Sequence, residues 1–152
     1  VILLDAKSYL GQAYRIDKRI NSKLEQIVSL RELATKATST LNDTSVRGTR
    51  NIQSMEGIIA KMIDLENEIN HDIDTLVDLK REFVAIIKKI NNPEYQTLLE
   101  LRYLCFKSWE QIAVDMGYSL QHIFRIHHKA LKDVVLPKDE SKCDKMRVSQ
   151  VV

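Results

Sequence analysis

Ser119, Gln121, His122, Arg125, His128, Lys129 and Lys132 crowd one short segment in the C-terminal part of the chain. Their side chains suit the recognition of a nucleic acid rather than the making or breaking of bonds. A glutamine amide matches the donor and acceptor that adenine presents, and a guanidinium reads guanine or holds a phosphate. Arg125, Lys129 and Lys132 stand at i, i+4 and i+7, so on a helix they form one basic edge beside His122 and His128. The plainer account of such an edge is a solvated face. Leu120 and Phe124, one turn apart, either meet thymine methyl groups or extend a core or protein contact, and the second is favoured.

Other chemistries find no support. His127 and His128 are adjacent, so on a helix they diverge and do not jointly grip a metal. Cys105 and Cys143 are too few for a metal site or a disulfide framework and fit a reducing compartment. There is no glycine-rich phosphate loop, nucleophile elbow or metalloprotease pattern. Neither enzyme activity, cofactor nor metal is expected. No run of 18 apolar residues and no signal peptide occurs, which points to a cytoplasmic protein with no membrane partner. Charge adds only local support for nucleic acid. Lys and Arg number 23 against 21 Asp and Glu, a net charge of +2. Between Pro93 and Leu136, Arg102, Lys107, Arg125, Lys129 and Lys132 balance Glu94, Glu100, Glu110, Asp115 and Asp133. Such a chain should bind DNA modestly and with marked salt dependence.

The elements that must position these residues are short helices. Asn92, Pro93 and Glu94 start one: the Asn side chain caps orphan N–H groups, proline fits the first turn and the acid suits the positive helix end. Ser108 through Gln111 have capping-box spacing for a second helix, which Gly117 ends by adopting the left-handed conformation. Ser119 caps a third that runs to about Val134. Leu98, Leu101 and Leu104, then Trp109, Ile112, Ala113 and Met116, then Ile123, Ile126, Ala130 and Leu131 give each helix one apolar stripe. Two helices around a glycine turn are the layout of a helix-turn-helix, whose second helix enters a DNA major groove. A three-helix domain that packs on protein is the rival account.

Leu101–Tyr103, Trp109–Ser119 (WEQIAVDMGYS) and Ile123–Lys132 (IFRIHHKALK) carry a resemblance to region four of primary sigma factors, whose third helix reads a promoter element. The chain from Tyr9 to about Lys132 more closely resembles a family of uncharacterised phage and prophage proteins of Gram-positive bacteria, similar to phage late-gene transcription activators. Arg15–Ala34, Ala60–Glu82 and Pro93–Tyr103 carry that likeness. It implies a phage regulator of transcription in the bacterial host cell. One departure stands out: sigma region four is arginine-rich at the start of its recognition helix, where this chain has Leu120, Gln121 and His122.

The rest of the chain reads as long helix. A run from about Ala6 to Leu41 and another from about Ile52 to Ile90 flank a polar stretch, Asn42–Thr49. On the second run Met55, Ile58, Met62, Leu65, Ile69, Leu76, Leu79, Phe83, Ile86 and Ile90 keep a heptad seam broken by Asp72; Ile59, Ile73 and Ile87 add a stripe beside it. On the first run Leu10, Ala13, Ile20, Leu24, Ile27, Ala34 and Leu41 keep the seam, with Asp17, Arg31 and Thr38 breaking it. Asp64–Asp78 is an acidic stretch, and folding at about Val46 sets basic Arg15–Lys23 (Arg15, Lys18, Arg19 and Lys23) opposite Ile69–Val77 within it. The expectation is an all-α protein: a long antiparallel coiled-coil hairpin over residues 1–91, a helix-turn-helix over 92–136 and a disordered tail over 137–152. Its expected role is sequence-specific binding of double-stranded DNA in phage transcription, as a homodimer through the hairpin. The alternatives are a packaging component like a terminase small subunit, and an adaptor that binds host RNA polymerase without reading DNA.

Overall fold

The computed structural model describes residues 2–41 and 48–137, and every element among them is helical. In order these are α1 (Ile2–Leu10), α2 (Gln12–Leu41), α3 (Gly48–Lys88), α4 (Pro93–Leu99) running into a π-helical turn (Glu100–Leu104), α5 (Trp109–Met116) and α6 (Leu120–Lys132). The fold point near Val46, Cys143 and the tail beyond Pro137 lie outside the described residues. The chain divides into two compact units, Arg15–Val77 and a second formed by residues 1–14 with 78–152.

Within Arg15–Val77, α2 and α3 run antiparallel. Ile20, Ile27, Leu65 and Ile69 form the buried core, with Ile16, Leu30, Met62 and Leu76 packed around it. The charge pairing that the sequence suggests is made: Lys23 Nζ lies 2.6 Å from Asp72 and 3.4 Å from Glu68, and Arg19 reaches Asp72 at 3.5 Å. Asp72 therefore does not break the seam but occupies it, at 5% exposure. The hydrogen bond from Lys23 holds its carboxyl below the usual carboxylate range, against burial, which pushes the other way. The expected seam of α2 needs one correction. Leu24 is 46% exposed, while Ile16, Lys23 and Leu30 face α3. Heptads step by three and then four residues, or by four and then three. Both steps share Ile20, Ile27 and Ala34, and the real one takes Ile16, Lys23 and Leu30 in place of Asp17, Leu24 and Arg31. Lys23 enters an apolar seam because Asp72 waits there for it.

In the second unit, α1 packs against α6, and α6 also packs against α4 and α5. Ala6, Leu10 and Ala13 are buried, as are Phe83, Ile86 and Ile87 at the end of α3 and Ile90 just beyond it. The Tyr9 ring lies tilted against Phe83 with centroids 5.5 Å apart, and its hydroxyl donates to the Glu82 carboxylate. The Asn92 cap forms as expected, with Oδ1 accepting from the Glu94 N–H at 2.9 Å. The stripe that follows differs from Leu98, Leu101 and Leu104. Leu98, Leu99 and Tyr103 are buried, whereas Leu101 and Leu104 are half-buried. The cause is the π turn, in which Cys105 N–H bonds Glu100 C=O five residues back at 3.0 Å. One extra residue in the turn rotates everything after it around the helix.

Candidate nucleic-acid interface

Three local devices set the segment that carries the predicted contacts. Ser108 Oγ accepts from the Gln111 N–H at 3.3 Å and starts α5. The reciprocal half of the expected capping box is not made, because the Gln111 amide donates to Asp115 at 2.8 Å instead. That carboxylate, paired with Lys107 at 2.7 Å, is a charged acceptor that draws the amide N–H one turn along the helix. Gly117 ends α5 at φ 71°, a backbone conformation that favours glycine. Ser119 Oγ then accepts from the His122 N–H at 3.3 Å and starts α6. Tyr118 braces the turn between them. Its ring meets the His122 ring edge to face with centroids 4.7 Å apart, and its hydroxyl bonds the Glu94 carboxylate, which raises its pKa above the ordinary tyrosine value. No spacing signal links Tyr118 to Glu94, so this contact was not visible in the sequence.

The faces of α6 separate cleanly. Ile123, Ile126, His127, Ala130 and Leu131 are buried. On the opposite side Gln121, Arg125, His128 and Lys132 follow one another at helical spacing and are all exposed, with Lys129 exposed beside them. Between Ser119 and Lys132 there is no acidic residue; the first carboxylate is that of Asp133, at the helix C-cap. Among the described residues Arg125, Lys129 and Lys132 make no ion pair, unlike Lys23 and Lys107. The structure thus brings Gln121, Arg125, His128, Lys129 and Lys132 to one face. It sets the other two predicted residues apart: Ser119 is spent on capping, and His122 is half-buried against Tyr118.

The underside of α6 is held by a cluster that spacing did not reveal. Trp109 meets His127 at 4.6 Å and Phe124 at 5.3 Å, and the Arg102 guanidinium lies 4.3 Å from its ring centre. Arg102 also donates to the Lys107 carbonyl at 2.9 Å, closing the loop after the π turn. In that loop Phe106 adopts φ 56°, with Tyr14 5.9 Å from its ring and Lys80 Nζ at 4.8 Å. Tyr103 Oη and His127 Nε2 are 2.7 Å apart in the interior. Burial, helped by the charges of Lys7, Arg102 and His128, pushes His127 down to about 4, and burial pushes Tyr103 up to about 12. Both groups are neutral near pH 7 and hold α6 against the π turn. Phe124 rests on Trp109 although 45% exposed, and Leu120 is 37% exposed, so core extension accounts for part of Phe124 and less of Leu120.

Among the described residues no cluster of His, Cys, Asp and Glu is arranged to hold a metal ion. No helix there is long and apolar enough to cross a membrane. A family model described as Protein of unknown function (DUF1492) matches residues 35–135. No curated protein and no solved structure matches the chain.

Proposed function

The chain belongs to the family described as Protein of unknown function (DUF1492), and from that premise we propose that it is a DNA-binding regulator of phage transcription. In this reading α5, the Gly117 turn and α6 act as a helix-turn-helix. The observation that carries it is the outward face of α6: Gln121, Arg125, His128, Lys129 and Lys132 together, without a carboxylate and without ion-pair partners among the described residues. Cations that the fold leaves unneutralised suit phosphates, and an amide and a guanidinium among them suit base edges in a major groove. The likeness of Trp109–Ser119 and Ile123–Lys132 to sigma region four supports the same docking mode, and the likeness to phage activators supports transcription as the setting.

The test is selection of bound fragments from the phage genome by the purified full chain. Enrichment of one promoter-proximal site supports the regulator. Enrichment at a packaging site would replace it with a terminase-like role, and no enrichment would leave an adaptor for host RNA polymerase.

A further inference from the structure

The helix pair of Arg15–Val77 has two unlike flanks. On one side of the seam the side chains of Ser22, Glu25, Gln26 and Ser29 of α2 and Lys61 of α3 line a groove floored by Leu30 and Leu65. In an antiparallel pair, residues one place after a core position on either helix fall together on the other side. There stand Leu24 and Val28 of α2 and Ile59, Ile63, Ile73 and Val77 of α3, each between 41% and 54% exposed. Their open surface is on the order of 500 Å² per copy, a size at which a patch is usually functional.

We propose that a second copy of this chain covers this flank, related by a two-fold axis perpendicular to the helices. The order of residues along the flank carries the inference. On α3 it runs Ile59, Ile63, Glu66, Asn70, Ile73, Val77. Turned end for end about residue 68, Ile59 meets Val77, Ile63 meets Ile73, and the Glu66 carboxylate meets the Asn70 amide. On α2 the flank residues nearest the seam are Asp17, Leu24 and Arg31. Turned about residue 24, Leu24 meets itself and Asp17 meets Arg31. These centres were found on separate helices, yet they lie level with each other: Lys23, beside one, contacts Glu68, the other, at 3.4 Å. A single axis therefore satisfies both helices, as a self-complementary interface requires. Asp17 accepts from Asn21 at 3.4 Å, and neither Asp17 nor Arg31 is in an ion pair among the described residues. The result is a four-helix bundle with an apolar middle and an ion pair on each side of it.

The proposal stands apart from DNA binding, since DNA binding by a monomer would leave it to be judged on mass alone. Sedimentation of the full chain at micromolar concentration should give the dimer mass. Asp17→Arg or Arg31→Asp sets like charges together at both symmetric contacts and should raise the dimer dissociation constant about ten-fold or more. The double variant D17R/R31D should return it to within a few-fold of the parent. With Cys105 and Cys143 replaced by serine, Leu24→Cys, on the axis, should cross-link between copies with a short bismaleimide, and Leu33→Cys should not. A monomer mass overturns the proposal, including one that instead captures another protein on this flank. Single reversals without effect, or a double variant that stays dissociated, also overturn it.

Discussion

His127 sits 7% exposed with its Nε2 against the Tyr103 hydroxyl, and that one contact ties stability to pH. Its folded pKa is depressed to about 4 from the usual 6.5. Above 6.5 the folded and unfolded chains are both neutral at this residue. Between 6.5 and 4 the unfolded chain takes up a proton that the folded chain refuses, so stability falls as pH falls. The loss from this residue is up to about 3 kcal/mol by pH 4. Urea midpoints measured across that range should show the decline, and His127→Gln should flatten it. An unchanged pH profile in the variant would place the titration elsewhere. The reason His127 was not readable is the same burial. In the sequence it is one of two adjacent histidines beside a basic edge, and only packing against Trp109 and Tyr103 separates it from exposed His128.

Elements repeat the lesson with different physics. The caps at Asn92, Ser108 and Ser119 and the stop at Gly117 were readable because each is settled within four residues. The π turn was not, since its i to i−5 bond leaves no mark in composition or spacing. It displaced Leu101 and Leu104 from the stripe assigned to them. The Lys23–Asp72 pair was half-readable: the opposing charge runs were plain, but a lysine in a seam is not what a heptad predicts. Removing Lys23 leaves buried Asp72 only the more distant and largely exposed Arg19 to offset its charge. Lys23→Met alone should therefore lower the denaturation midpoint more than the double variant Lys23→Met with Asp72→Leu, and equal losses would show that the pair is not coupled. For α6, Arg125→Ala with Lys129→Ala should weaken DNA binding and flatten its salt dependence by roughly two units. Helicity should not change, because neither side chain is buried. Full binding by that variant would remove α6 as the contact surface.

At the scale of the molecule, composition and periodicity marked an all-helical chain with a long helix pair. They placed the C-terminal helices by themselves, from residue 92. The packed unit that holds those helices also takes residues 1–14 and the end of α3 from Asp78. No local pattern announces that Ala6 and Leu10 pack under α6, because the two segments are separated by most of the chain. Deleting residues 1–14 should therefore destabilise the C-terminal unit by on the order of 3 kcal/mol, from the lost burial of Leu10 and its neighbours. Amide exchange at Ile126 to Leu131 should accelerate in the truncated protein while these residues remain helical. Unaltered exchange would show that α1 is dispensable to α6.

The seating of α1 against α6 also dictates an order of events during synthesis. Residues 15–77 form a contiguous stretch that can fold as soon as it leaves the ribosome. Residues 6–13 emerge before it but must wait for α6, which is made at the other end of the chain. At roughly 5–20 residues per second that wait is on the order of ten seconds. Throughout it Leu10, fully buried in the finished fold, lacks its final surroundings.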